Sequence, residues 1–277
     1  MLRPLFPFCL ASALSLAGAM AQDVPSRIVF QNGRSVPVSA VVVQGNQIIV
    51  KGAAEGYSDG QTFPFESADH IYGTKPVEVN RGIALLLTGK PVEALKLLTP
   101  VLAQEQATAK IPGNFWIEAA RAALVAYAVA GDAAKCNDLG KAISDATPAQ
   151  GIDPFVSLGK ALLLPSSTKA EDRASALQDL ITGSQPAVVG AYASFFRGNA
   201  LKDAKKHTEA LEAYLMVPCL FPSGGMVLNA AAEFNAAEYL ITLGRREEAL
   251  ELLRSSVRES SGTLITVESN KRLESLK

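Results

Sequence analysis

Two kinds of hydrophobic patterning divide the chain. From Arg27 to Tyr72 apolar residues come in short β-branched runs broken by turn residues: Arg27-Ile28-Val29-Phe30, Asn32-Gly33, Val36 to Val43, Gly45-Asn46, then Gln47-Ile48-Ile49-Val50-Lys51. Asn-Gly and Gly-Asn supply the positive φ angles of two-residue hairpins, so the segment reads strand, turn, strand, turn, strand. Gly52 to Gly60 reads as a loop. Thr62-Phe63-Pro64-Phe65 and His70-Ile71-Tyr72 read as further short strands, with Pro64 at an edge. These strands predict a small antiparallel β-module over residues 26–73, packed at the end of whatever follows.

From Pro76 the apolar period lengthens to that of amphipathic helices, in runs rich in Ala, Leu and Glu separated by turns. Comparable turns recur at Gly89, Gly131, Lys205 and Gly244. The step from Gly131 to Lys205 is about twice the other two, so a divergent helix pair is expected between Phe155 and Ile181, interrupted at Pro165-Ser166-Ser167. Small residues sharpen the pattern, because two helices approach closely only where one presents Gly or Ala at the crossing. Gly82 and Ala94, Gly198 and Ala210, and Ala237 and Ala249 share one spacing. Leu85, Leu201 and Leu240 follow the first member of each pair, and Leu98, Tyr214 and Leu253 follow the second. Val267 to Leu276, after a Ser-Ser-Gly break, reads as a terminal capping helix.

A small residue on a first helix, a turn of the form Gly-x-x-x-Glu-Ala-Leu, an aromatic on the second helix and a closing Pro222 resemble the tetratricopeptide repeat (TPR) family, most clearly over Phe196 to Pro222 and Phe234 to Leu253. The β-module is similar to SH3-like or Sm-like small barrels. The resemblance implies a mainly α fold, a TPR-like α-α solenoid of about five helix pairs over residues 76–277, behind a small N-terminal antiparallel β-module. It further implies a concave groove for a protein or peptide, lined by Glu118, Arg121 and Val125, then Tyr192, Phe195, Asn199 and Lys202, then Phe234, Asn235 and Glu238. Some family members hold a partner's terminal carboxylate with asparagines placed like Asn199 and Asn235. Phe195 stands where the accompanying lysine is expected, so that clamp is not predicted.

Composition narrows the function classes. Twenty-six basic and twenty-seven acidic side chains leave a net charge of −1, which gives no electrostatic case for nucleic acid. Residues 1–21 read as a signal peptide: Arg3, an apolar stretch from Leu5 to Met20, and Ala19-Met20-Ala21 as the cleavage site. The expectation is an exported protein, periplasmic, associated with the cell envelope or secreted, with no membrane insertion after cleavage. Cys136 and Cys219 lie about two repeats apart in apolar helical patterns and are expected as buried free thiols.

His70 and His207 have no metal-ligand or triad partners at a plausible spacing, and no phosphate loop or nucleophile motif occurs. No enzymatic activity, cofactor or metal is expected. The expected function is a scaffold or adaptor that holds another envelope protein in its groove. The alternative is a carbohydrate or cell-wall binding protein using exposed Trp116, Tyr192 and Phe195.

Overall fold

The computed structural model describes residues 24–54, 56–147, 151–165, 167–181 and 185–276. The expected signal peptide, Cys9 and Ser166 lie outside the described residues. The β-module contains β1 (Arg27–Phe30), β2 (Ser35–Pro37), β3 (Val41–Gln44), β4 (Gln47–Val50), β5 (Thr62–Pro64) and β6 (Ala68–Tyr72). Two antiparallel three-stranded sheets result, in the orders β2-β1-β6 and β3-β4-β5.

The single long strand expected over Val36 to Val43 is instead two. Pro37 has no N–H to continue the ladder, and a 3-10 turn at Val38–Ala40 follows it. Pro64 is likewise followed by a 3-10 turn at Phe65–Ser67. Each bend carries the chain from one sheet into the other, so the sheets enclose a common core of Ile28, Phe30, Val36, Ile48, Val50, Tyr57 and Ile71. Gly45-Asn46 forms the expected two-residue turn, Gln44 pairing with Gln47 and Gly45 at φ 57°; Asn32-Gly33 does not, since Phe30 bonds to Arg34 and the loop is the three residues Gln31-Asn32-Gly33, with Gly33 at φ 78°.

Eleven helices follow among the described residues: α1 (Val77–Leu87), α2 (Pro91–Glu105), α3 (Trp116–Val129), α4 (Ala133–Ala146), α5 (Pro154–Leu162), α6 (Ala170–Gln178), α7 (Ala187–Asp203), α8 (His207–Leu220), α9 (Met226–Thr242), α10 (Arg246–Glu259) and α11 (Leu264–Ser275). The first ten form five helix pairs, each helix packed mainly on its neighbours in sequence except α5, which packs mainly on α3, and α11 covers the end against α10. The fold is a mainly α solenoid of helix pairs with a small β-module in front. The divergent third pair is α5 and α6, the shortest helices of the array.

The repeat is visible in the backbone of the turns. Lys90, Asp132, Lys206 and Arg245 each donate an N–H to the carbonyl five residues earlier, on Leu85, Tyr127, Leu201 and Leu240. The preceding residue donates to Leu86, Ala128, Lys202 and Ile241 in turn. This double closure needs a left-handed residue at the helix end. Gly89, Gly131 and Gly244 provide it at φ of 78°, 78° and 74°, and Lys205 adopts it at 61°. Lysine there suffers a Cβ clash that glycine avoids.

The helix crossings are as tight as the small residues imply. A Cβ on Gly82 would lie 2.7 Å from Leu98, and one on Gly198 would lie 2.7 Å from the Tyr214 ring. Tyr214 is held in place, since its hydroxyl donates to Asn199 Oδ1 at 2.6 Å and its ring packs against Phe195 and Tyr239.

The loop between α2 and α3 joins the two parts. Its Ile111 is buried in the β-module core, and the Ile71 N–H donates to the Pro112 carbonyl at 2.7 Å. Gly113 is required there, because its missing Cβ would lie 2.3 Å from the Ile71 oxygen. A polar knot shapes the loop: Asn114 Nδ2 donates to Glu105 Oε2 and to Thr108 Oγ1, all three residues being withdrawn from solvent. Burial raises the Glu105 pKa, and the Asn114 bond partly offsets this.

Relieving the strain at Lys205 gives a first test. Lys205→Gly is expected to stabilise the chain by about 1 kcal/mol, and Gly131→Ala to destabilise it by a similar amount. Urea denaturation midpoints measure both. Equal midpoints for Lys205→Gly and the parent chain would refute the strain at that turn.

Candidate functional site

The array bends far enough for its first helix to meet its last pair. α1 packs on α9 and α11, and Arg81 Nε reaches the Gly262 carbonyl at 3.4 Å. The inner faces of the first helices therefore belong largely to one continuous core running from Val79 to Ile265. The residues expected along an open groove separate into three groups.

The first group is buried. Phe195 is 0% exposed and packs edge-on against Phe196 and Tyr214; Tyr192 is 5% exposed and meets the Phe155 ring at 5.4 Å; Val125 is fully buried. They are core residues and not groove residues: Tyr214 of α8 packs on Phe195 and Phe155 of α5 on Tyr192. Burial raises the Tyr192 pKa, with the Glu118 charge adding to it. Trp116 is 3% exposed, so none of the three aromatics expected as an exposed sugar platform is available as one.

The second group is engaged in ion pairs that tie elements together. Arg121 Nη2 lies 2.6 Å from Asp153, which is fully buried at the start of α5 and also accepts from the Phe155 N–H. The Arg121 guanidinium rests 5.3 Å from the Phe155 ring. Glu118 pairs with Lys75 at 2.7 Å, linking α3 to the end of the β-module.

The third group converges. Asn199 and Lys202 from α7 and Phe234 and Asn235 from α9 line one cleft of about 370 Å³, bounded by Leu87 at the end of α1, by Lys90 after it and by Leu264 and Glu268 of α11. A second cleft of about 320 Å³ shares Phe234 and Glu268 and continues past Glu238 and Arg272, which are paired at 2.7 Å. Asn199 uses its oxygen for Tyr214, leaving its N–H donors for the cleft, and Asn235 donates to the Ala231 carbonyl, leaving its oxygen. Lys90 and Lys202 form no ion pair among the described residues. The cleft thus offers an apolar wall of Leu87, Phe234 and Leu264, two ammonium groups, amide donors and one carboxylate.

Local patterning could not reveal the α1 and α11 contributions, since these helices meet only after the whole array has bent. Neither histidine joins the site: His70 is exposed beside Asp69, and His207 is exposed 5.7 Å from Tyr239. Among the described residues no group of three or more His, Cys, Asp or Glu could hold a metal ion, and no helix is long and apolar enough to cross a membrane. Both thiols are free, as expected, but only Cys136 is buried; Cys219 follows Pro218 near the end of α8 and faces solvent.

One strongly shifted acid lies outside the clefts just described. Glu233 of α9 is pushed up to about 7, chiefly by burial, with the Glu259 charge adding and the Ser255 hydroxyl and Arg258 opposing. Burial likewise raises Glu259. A carboxyl raised in the folded state favours folding fully below its unfolded value of 4.5, and that support is lost as pH rises through about 7. Glu233 is therefore expected to cost about 3 kcal/mol of stability between pH 4.5 and pH 8. Glu233→Gln should flatten this part of the stability profile and stabilise the chain at pH 8; an unchanged slope in urea titrations would show that Glu233 is not the group responsible.

Comparison with protein-family models, curated proteins and solved structures returns no match to this chain.

Proposed function

We propose that this chain is an exported scaffold of the bacterial cell envelope that holds a segment of another protein in the cleft between α1, α7, α9 and α11. The observation that carries the reading is the convergence of Asn199, Lys202, Phe234 and Asn235 on one cleft with an apolar wall and ammonium groups that form no ion pair among the described residues. Phe234 is half-buried on the cleft wall, so a ligand side chain can cover the rest of its ring. Covering one aromatic face contributes on the order of 1 to 2 kcal/mol, and the amides and ammonium groups set orientation. The fitting segment carries a large apolar side chain with acidic groups beside it. The TPR-like helix pairs support a binding role, since stacked helix pairs present such surfaces without needing catalytic groups. Export rests on the composition of residues 1–21.

Two measurements test the reading. A photo-reactive phenylalanine analogue at position 234 is expected to give a discrete polypeptide adduct in cells, and the same group at exposed Val129 to give none; absence of an adduct at 234 would overturn the cleft as a binding site. N-terminal sequencing of the cell-derived protein is expected to begin near Gln22, and an intact Met1 in the envelope fraction would remove the case for a cleaved signal.

A further inference from the structure

The seam between the β-module and the helices holds a cleft that the α7–α9 site does not use. Its volume of about 350 Å³ is near the small end of ligand pockets, which run from about 300 to 1,000 Å³. Gln106 and Ala107, from the turn that contacts β3, form one wall, so the space suits a compact molecule and not a strand or a helix. The apolar lining comes from Val43, Phe65, Ala109, Trp116, Ala142 and Ala146.

Three polar groups of this lining have no partner among the described residues. Trp116 is 3% exposed, yet its indole N–H bonds to no acceptor and, unlike the Tyr57 hydroxyl, is not sealed from solvent. The exposure that its ring keeps lies on the cleft, so the N–H is offered there. A tryptophan this deeply buried ordinarily spends its N–H on an acceptor. Lys110 and Asp145 line the same cleft, and neither forms an ion pair. The helix ends repeat this polarity. α3 begins at Trp116 with its positive end, whereas α4 ends at Ala146 with its negative end and carries Asp145 in its last turn. The α2–α3 segment thus supplies two donors and the positive pole, and the end of α4 supplies a carboxylate and the negative pole. Asn46 and Gln106 complete the lining with amides that donate or accept.

We propose that this cleft binds a free α-amino acid with an apolar side chain, its carboxylate at Lys110 and the Trp116 N–H, its ammonium at Asp145 and its side chain against Phe65 and the alanines of α4. A zwitterion answers both poles at once. A plain carboxylate would also meet Asp145, and a plain amine would also meet Lys110, each like-charge contact opposing entry. The site is separate from the α7–α9 cleft and does not rest on the function proposed there.

Trp116 is the chain's single tryptophan, so its emission reports on this cleft and not on the other. The test titrates the dialysed full chain with leucine, isoleucine and methionine, follows tryptophan emission, and measures affinity by titration calorimetry. At least one of the three is expected to give a saturable change, unaffected by Phe234→Ala. Lys110→Met and Asp145→Asn are each expected to weaken binding at least about tenfold. Both side chains are exposed, so these substitutions leave the core untouched, and circular dichroism verifies the fold. Charge-blocked ligands read the same contacts without altering the protein: leucinamide lacks the carboxylate and N-acetylleucine the ammonium, and each should bind at least about tenfold more weakly than leucine. The proposal is overturned if none of the three amino acids gives a saturable change up to about 10 mM. It is equally overturned if either blocked ligand binds as tightly as leucine, or if either variant keeps the parent affinity.

Discussion

Two side chains laid directly over glycine, Leu98 on Gly82 and Tyr214 on Gly198, set the distance between helices on which the array depends. With no Cβ in the way, each second helix sits close to its first, and the next pair inherits the same offset through the turn. Those turns are closed by the same two backbone bonds at four places, so the offset is repeated and not merely similar. Tyr214 does more than fill space. Its hydroxyl anchors Asn199 and its ring stacks on Tyr239, tying α7, α8 and α9 together beside the cleft.

The accumulated offset brings α1 against α9 and α11. That contact changes the character of the inner face. An open solenoid exposes the aromatics of its first helices, whereas here Tyr192 and Phe195 are covered by neighbouring helices and the concavity narrows to clefts beside Phe234. α11 thus acts in two ways: Ile265 and Ser269 seal the end of the array, Ser269 bonding to buried Ser256, while Leu264 and Glu268 form a wall of the site.

The β-module is bound to the array by the α2–α3 loop and not by a broad apolar face. Ile111 fills the small core between the two sheets, Gly113 allows the backbone to touch β6, and the Glu105, Thr108 and Asn114 knot holds the loop in the shape that delivers them. A cavity of about 350 Å³ remains between the β-module and the helices, beside β3 and the Gln106–Thr108 turn that contacts it.

The chain's own pattern determined the number and order of the helix pairs, the hairpin turns at Gly33 and Gly45, the tight crossings at Gly82 and Gly198 and the terminal helix, since each rests on neighbours in sequence: periodicity, turn chemistry and steric size. The prolines that split the expected second strand were equally visible, but their effect was legible only as a bend once two sheets had to share one core. Tertiary structure alone decided which aromatics of the first helices face a ligand and which face the core. Asn199 and Phe195 lie one helical turn apart on α7, yet one borders a cleft and the other is fully buried. Phe195 is covered by Tyr214 of α8, whereas the cleft beside Asn199 exists only because α1 and α11 supply its other walls, and no local spacing encodes a contact between residues as remote as Arg81 and Gly262.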